Sequence, residues 1–208
     1  MIKIKESNKS IITLGIILII IGSFLLTLKY IYYHYQNKQD EKMVETFFEK
    51  HEETTLPEES QENVEEEKQE EIINYNYIAV LEIPSISLKR GLVDKHSIYN
   101  DVNRNIEILQ ESDMPDVENG NLILASHSGS SNVSFFRNLR NVNMSDLINI
   151  FYNNVKYVYE VTNIYEEDKD GDISIQRDKK TTTLTLTTCK GSEKQLVVIA
   201  TLKDKESY

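Results

Sequence analysis

The chain has 208 residues, enough for one domain of ordinary size plus additional segments. Its formal net charge of −11 excludes a nucleic-acid partner held by phosphate contacts, which needs a basic surface. A single cysteine, Cys189, excludes an internal disulfide framework, and no cysteine–histidine group has the spacing of a zinc site.

Residues 1–10 carry Lys3, Lys5 and Lys9 against one acidic residue, Glu6. Residues 11–28, IITLGIILIIIGSFLLTL, hold no charge. At 1.5 Å per residue this run spans roughly 27 Å, close to the hydrocarbon thickness of a bilayer. It is apolar all round, where a core helix would show a polar stripe. Tyr30, Tyr32, Tyr33 and Tyr35 follow, suited to a membrane interface. With no small-residue cleavage site after it, the run is expected to be a retained transmembrane signal anchor rather than a cleaved signal peptide. The preceding lysines place residues 1–10 in the cytoplasm and the rest of a single-pass chain on the extracellular face, although Lys29 and Lys38 weaken the asymmetry.

Residues 29–73 read as an acidic stalk. Glutamates dominate, as in Glu65-Glu66-Glu67, aliphatic residues are few, and Pro57 interrupts the segment. Too little apolar surface is present to offset ordering entropy, so a disordered or partly helical spacer is expected. Phe47 and Phe48 mark a short helix within it.

A folded domain is expected over residues 74–208. Tyr77–Ile83 alternates as a strand closed by Pro84, and Ile86 and Leu88 continue the pattern. The stretch 94–110 is weakly periodic through Ile98, Val102, Ile106 and Leu109, which predicts a short helix. Asn121–Ala125 is a short buried strand running into Ser126-His127-Ser128-Gly129. Phe135–Leu139 predicts a second short helix docked on the core. Strands follow over 144–155 and 156–165, with a brief one at 173–175. Finally, Thr183–Leu202 reads as strand, polar turn at Lys190–Glu193, and strand. Strands of this spacing predict an all-β closed barrel or sandwich of about seven or eight strands with one or two short helices.

Cys189 ends the first of the two last strands, where a side chain can reach a surface groove. Its open readings are an inert buried thiol, an intermolecular bridge or a reactive nucleophile. Of the four histidines, His34 flanks the apolar run, His51 lies in the acidic segment and His96 sits in a polar turn. His127 instead ends an apolar strand among small residues. A thiol with a nearby histidine is the pairing that nucleophilic catalysis requires.

Thr185-Leu186-Thr187-Thr188-Cys189 resembles the TLxTC signature of the sortases, cysteine transpeptidases of Gram-positive cell surfaces. The stretch through Ile83-Pro84, Ile86 and Leu88 resembles the opening of sortase domains. Gly120-Asn121 through His127 resembles the segment holding the sortase histidine, with Ser126 where glycine is usual. Phe135–Leu139 resembles the FxxL segment that follows. The resemblance implies a sortase-like barrel in which Cys189 is the nucleophile and His127 the general acid/base. It implies acyl transfer from a sorting motif in secreted proteins or pilins to an amine of a peptidoglycan precursor or pilin subunit.

Sortases also carry an arginine on the last strand. The matching position here is Gln195, and no arginine follows Arg177. Gln195 is read as an oxyanion donor in its place, since an amide can donate there; Lys194 and Arg177 are the alternatives. No cofactor is expected. Residues 166–172 are rich in oxygen ligands and some sortases bind calcium nearby, but the stretch lacks EF-hand spacing, so a solvated turn is the default. A silent scaffold that binds sorting signals, or a thiol hydrolase that releases surface proteins, are the competing functions.

Overall fold

The computed structural model describes residues 4–53, 76–169 and 171–208, with side chains described within the helix at 13–28, 30–31, 38 and 40–50. The chain divides into two compact units, Met1–Asp40 and Glu41–Tyr208.

One helix, α1, runs from Ile4 to Glu53. In its first part Leu14, the six residues Ile16–Ile21, Phe24, Leu25, Leu26 and Leu28 are exposed. Among the described residues, no helix is long and apolar enough to cross a membrane. The side chains of Ile11 and Ile12, the first two of the expected span, lie outside the described residues, as do those of Tyr32, Tyr33, His34, Tyr35 and His51. The transmembrane helix expected at 11–28 is therefore not established by the fold.

The compact second unit starts at Glu41. Val44, Phe47 and Phe48 share one face of α1 at the i, i+3, i+4 spacing and pack with Val80, Tyr77 and Phe151. Phe48 meets Phe151 and Tyr208 edge-on at 5.0 and 5.6 Å, and Lys89 Nζ lies 4.6 Å from the Phe48 ring centre. Thus Phe47 and Phe48 belong to a long helix, not a short one. Residues 54–75, which include the C-terminal part of the expected acidic stalk, lie outside the described residues.

The rest of this unit is one eight-stranded sheet in the order β2-β1-β5-β6-β8-β7-β4-β3. Its strands are β1 (Ala79–Ile83), β2 (Leu88–Leu92), β3 (Glu107–Ile108), β4 (Asn121–Ala125), β5 (Leu147–Tyr152), β6 (Val155–Asp168), β7 (Thr183–Lys190) and β8 (Lys194–Ser207). Every alternate residue faces one core, with Leu81, Ile83, Leu122, Leu124, Ile148, Ile150, Tyr159, Leu184, Leu186, Val198 and Ala200 all buried there. All pairings are antiparallel except β4 with β7.

The sheet curls into a nearly closed barrel, and side-chain amides bridge its open edges. Asn105, fully buried, donates from Nδ2 to Gly91 O in β2 and accepts at Oδ1 from Arg90 Nε at 2.8 Å. Arg90, 5 % exposed, lays its guanidinium 4.2 Å over the Phe135 ring. Asn100 does the same for β3, giving Nδ2 to Ile108 O and taking Ile108 N, both at 2.8 Å. Gly91 is required on β2, because a Cβ there would fall 2.1 Å from the Tyr77 ring.

The short helix predicted over 94–110 is absent; turns lead instead into β3. Asp94 Oδ1 takes His96 N, Ser97 Oγ takes Tyr99 N, and Asp101 Oδ1 takes Asn103 N. Such local side-chain acceptors outcompete the helical pattern. The helical content of the barrel is two single 3-10 turns, Pro84–Ile86 and Leu139–Asn141. No strand forms at 173–175.

Candidate active site

The site is built by the parallel pair. Because β4 and β7 run the same way, both end at the same edge of the barrel, with Ala125 opposite Thr187. Two steps beyond that pair lie His127 and Cys189. His127 lies just past the end of β4, while Cys189, still within β7, keeps the face of Thr183, Thr185 and Thr187. On that face Asn121 Oδ1 accepts from Thr183 Oγ1 at 2.9 Å and Thr185 Oγ1 at 3.0 Å, which locks the register at the entry of both strands.

Three bonds stitch the exit. Thr188 Oγ1 donates to Ser126 O at 2.6 Å, Ser126 N donates to Thr187 O at 3.4 Å, and Ser128 Oγ donates to Cys189 O at 2.5 Å. His127 is thus flanked on both sides by residues tied to the strand that carries Cys189. Its own carbonyl accepts from Phe136 N at 3.1 Å, placing the Phe135–Leu139 turn beneath the loop. Cys189 is partly exposed. On the His127 ring, Nε2 lies 3.3 Å from Asn103 Oδ1, within hydrogen-bond reach.

Gln195 on β8 stands directly opposite Cys189 on β7. Directly opposed residues have Cβ atoms about 5 Å apart on one face. Its amide is already engaged, since Nε2 donates to Glu167 Oε1 and to Asp172 O, both at 2.8 Å. The alternatives to Gln195 lie elsewhere. Arg177 Nη1 donates to Asn119 O, Thr181 O and Thr183 Oγ1, at the opposite end of β7 from Cys189. Lys194 faces Asp168 at 3.8 Å, and Lys190 pairs with Glu166.

These contacts also occupy the acidic stretch. Glu166 and Asp168 hold lysines, and Glu167 accepts from Gln195 and from Ser174 N. Among the described residues, no group of three His, Cys, Asp or Glu is placed to hold a metal ion; Asp170 lies outside them.

Residues that sequence reasoning did not single out are Ser128, Asn103 and Asp101. Asp101 Oδ1 accepts from Asn103 N at 2.7 Å and Asn103 Nδ2 at 2.9 Å. These two bonds hold the Asp101 carboxyl below its ordinary range, with smaller help from the charges of Arg104 and His127. The D-x-N spacing is a common turn signal, and nothing in it points to a histidine 24 residues away.

The Sortase domain family profile matches residues 81–203. Among solved structures, a Clostridium perfringens sortase D5 transpeptidase is similar at 24% identity and TM-score 0.56, over 81% of this chain and 98% of its own. Listeria monocytogenes sortase A is similar at 20% identity and TM-score 0.54, over 64% of this chain and 90% of its own. C. perfringens sortase C, solved with a C-terminal cell wall sorting motif, is similar at 20% identity and TM-score 0.55, over 62% and 72%. No curated protein matched by sequence.

Proposed function

From the premise that the chain belongs to the sortase family, we propose that it is a membrane-anchored cysteine transpeptidase acting on a sorting motif. The observation that supports this reading is the parallel pairing of β4 with β7, whose last pair, Ala125 and Thr187, lies two residues before His127 and Cys189. In the reaction, Cys189 Sγ attacks the carbonyl carbon of a peptide bond in the motif. The C–N bond breaks, His127 protonates the departing amine, and a thioester remains on Cys189. An acceptor amine then attacks the thioester, gives its proton to His127, and releases the thiolate as the C–S bond breaks. The acyl donor is a sorting-motif-bearing secreted protein or pilin. The acceptor is an amine of a peptidoglycan precursor or pilin subunit.

Gln195 supplies the oxyanion donor by exchanging its bond to Asp172 O for the substrate oxygen. Its position opposite Cys189 supports this role. The anchor is residues 11–28. Its support is the set of exposed large apolar residues between Leu14 and Leu28, a surface that water does not tolerate on an isolated helix.

The full chain, purified in detergent, is incubated with a library of sorting-motif peptides and analysed by mass spectrometry. A thioester on Cys189 that is lost in Cys189→Ala and His127→Ala is the expected result. Gln195→Ala is expected to slow adduct formation roughly 10²–10³-fold, the effect of removing one oxyanion donor. Peptides that bind without forming an adduct would instead identify a scaffold, a reading to which the already engaged Gln195 amide lends weight. With an adduct in hand, product ratios with and without added amine separate transfer from hydrolysis.

A further inference from the structure

His127 needs a partner that fixes its tautomer, because a neutral imidazole offers one donor and one acceptor and can exchange them. The described contact on its ring is Asn103, in the loop between β2 and β3. An asparagine amide is itself ambiguous, having an oxygen on one arm and nitrogen on the other. Here the ambiguity is removed by Asp101. A carboxylate only accepts hydrogen bonds, so the arm of Asn103 that faces Asp101 Oδ1 at 2.9 Å must be the NH2 group. The other arm, facing His127, is then the carbonyl oxygen. An oxygen 3.3 Å from Nε2 accepts only if Nε2 carries the proton. The chain of necessity runs from Asp101 through Asn103 to the imidazole.

The loop holds this arrangement in place. Asp101 O accepts Arg104 N and Asn105 N, both at 2.8 Å. Asn105 is the buried residue that bridges to Arg90 and Gly91 of β2. Asn103 therefore sits on a turn pinned by its own Asp101 on one side and by the barrel edge on the other. Its contact with Nε2 is long, as such bonds often are before substrate binds.

We propose that Asn103, oriented by Asp101, is the positioning residue of His127: it holds the ring as the Nε2–H tautomer and leaves Nδ1 as the nitrogen that takes and returns the proton. The inference deepens the transpeptidase reading and takes the acid/base role of His127 from it. It assigns a task to a loop that the motif positions do not reach. The lowered pKa of Asp101 agrees with it, because a carboxyl kept ionised remains acceptor-only.

The test is nitrogen NMR of the full chain in detergent, labelled with 15N-histidine, with the His127 signals assigned by their loss in His127→Gln. Wild type is expected to show His127 with Nε2 protonated and Nδ1 bare in the neutral form. Asn103→Ala is expected to give a mixture of tautomers. The exchanged pair Asp101→Asn with Asn103→Asp restores an acceptor toward Nε2 and is expected to restore the single tautomer, which mere loop damage would not allow. A His127 tautomer unchanged in Asn103→Ala, or Nδ1 protonated in wild type, overturns the proposal. Thioester formation is measured in parallel. Asn103→Ala is expected to lower kcat about 10–100-fold with KM unchanged, below the roughly 10²–10⁴ that a positioned acid–base contributes in full. If wild type forms no thioester at all, the transpeptidase reading fails while the tautomer result still decides the role of Asn103.

Discussion

Buried asparagines do at single positions what strands do elsewhere in this barrel. Asn105 is the clearest case, since it completes the β2 edge and neutralises the hydrogen-bonding need of a guanidinium that is itself 5 % exposed. Removing the amide leaves Arg90 Nε without that acceptor inside the protein, and a buried charged donor deprived of a partner is costly. Asn105→Ala is therefore expected to destabilise the unit by about 3 kcal/mol, read as a lowered denaturation midpoint with unchanged slope. Asn105→Asp keeps the acceptor for Arg90 and loses only the bond to Gly91 O, so it should fall between the two. At the same scale, Tyr159 lies fully buried in the core, and burial pushes its phenol well above the ordinary value. It stays neutral through the whole working range and acts as packing.

Among the elements, the parallel β4–β7 pair and the end of α1 have opposite jobs. The parallel pair brings two strand ends together at one edge. The helix end covers a second apolar face, where Val80 and Phe151 would otherwise meet water. Phe47, 4 % exposed, is central to that cover. Because the helix makes its own hydrogen bonds, loss of this contact should undock it without unfolding the barrel. Phe47→Ala is expected to speed hydrogen exchange across 44–50 and at Val80, while β7 and β8 keep their protection. Loss of protection in β7 and β8 as well would mean that the helix is part of the barrel's cooperative unit.

For the molecule as a whole, the end of the helix and the barrel form one unit. Glu53 ends α1 and Ala79 begins β1, and both belong to the unit Glu41–Tyr208. The membrane anchor proposed at 11–28 is tested by fractionation. The full chain should remain with membranes through high salt and alkaline wash and come off only with detergent, whereas a chain lacking residues 1–40 should be released. Release of the full chain by salt alone would rule the anchor out.

Sequence by itself determined the strand-rich class and the resemblance that singles out Cys189 and His127 as candidates. Period-two alternation at Leu184, Leu186 and their threonine neighbours is a local property of a half-buried strand, and the TLTTC and Gly120–His127 stretches are short enough to be read locally. The same locality explains what was misread. The apolar spacing over 94–110 is helical, but the competing Asp94, Ser97 and Asp101 acceptors favour turns. Residues near 44–48 looked like part of a stalk because their apolar partners, Val80 and Phe151, lie far along the chain. Tertiary structure alone decided that β4 and β7 pair in parallel, that Gln195 is held by Glu167 and Asp172, and that Asn103 meets His127. Each of these is a contact between segments distant in sequence. Such contacts are set by which edges and side chains the closed sheet brings together, and no periodicity or motif within one segment encodes them.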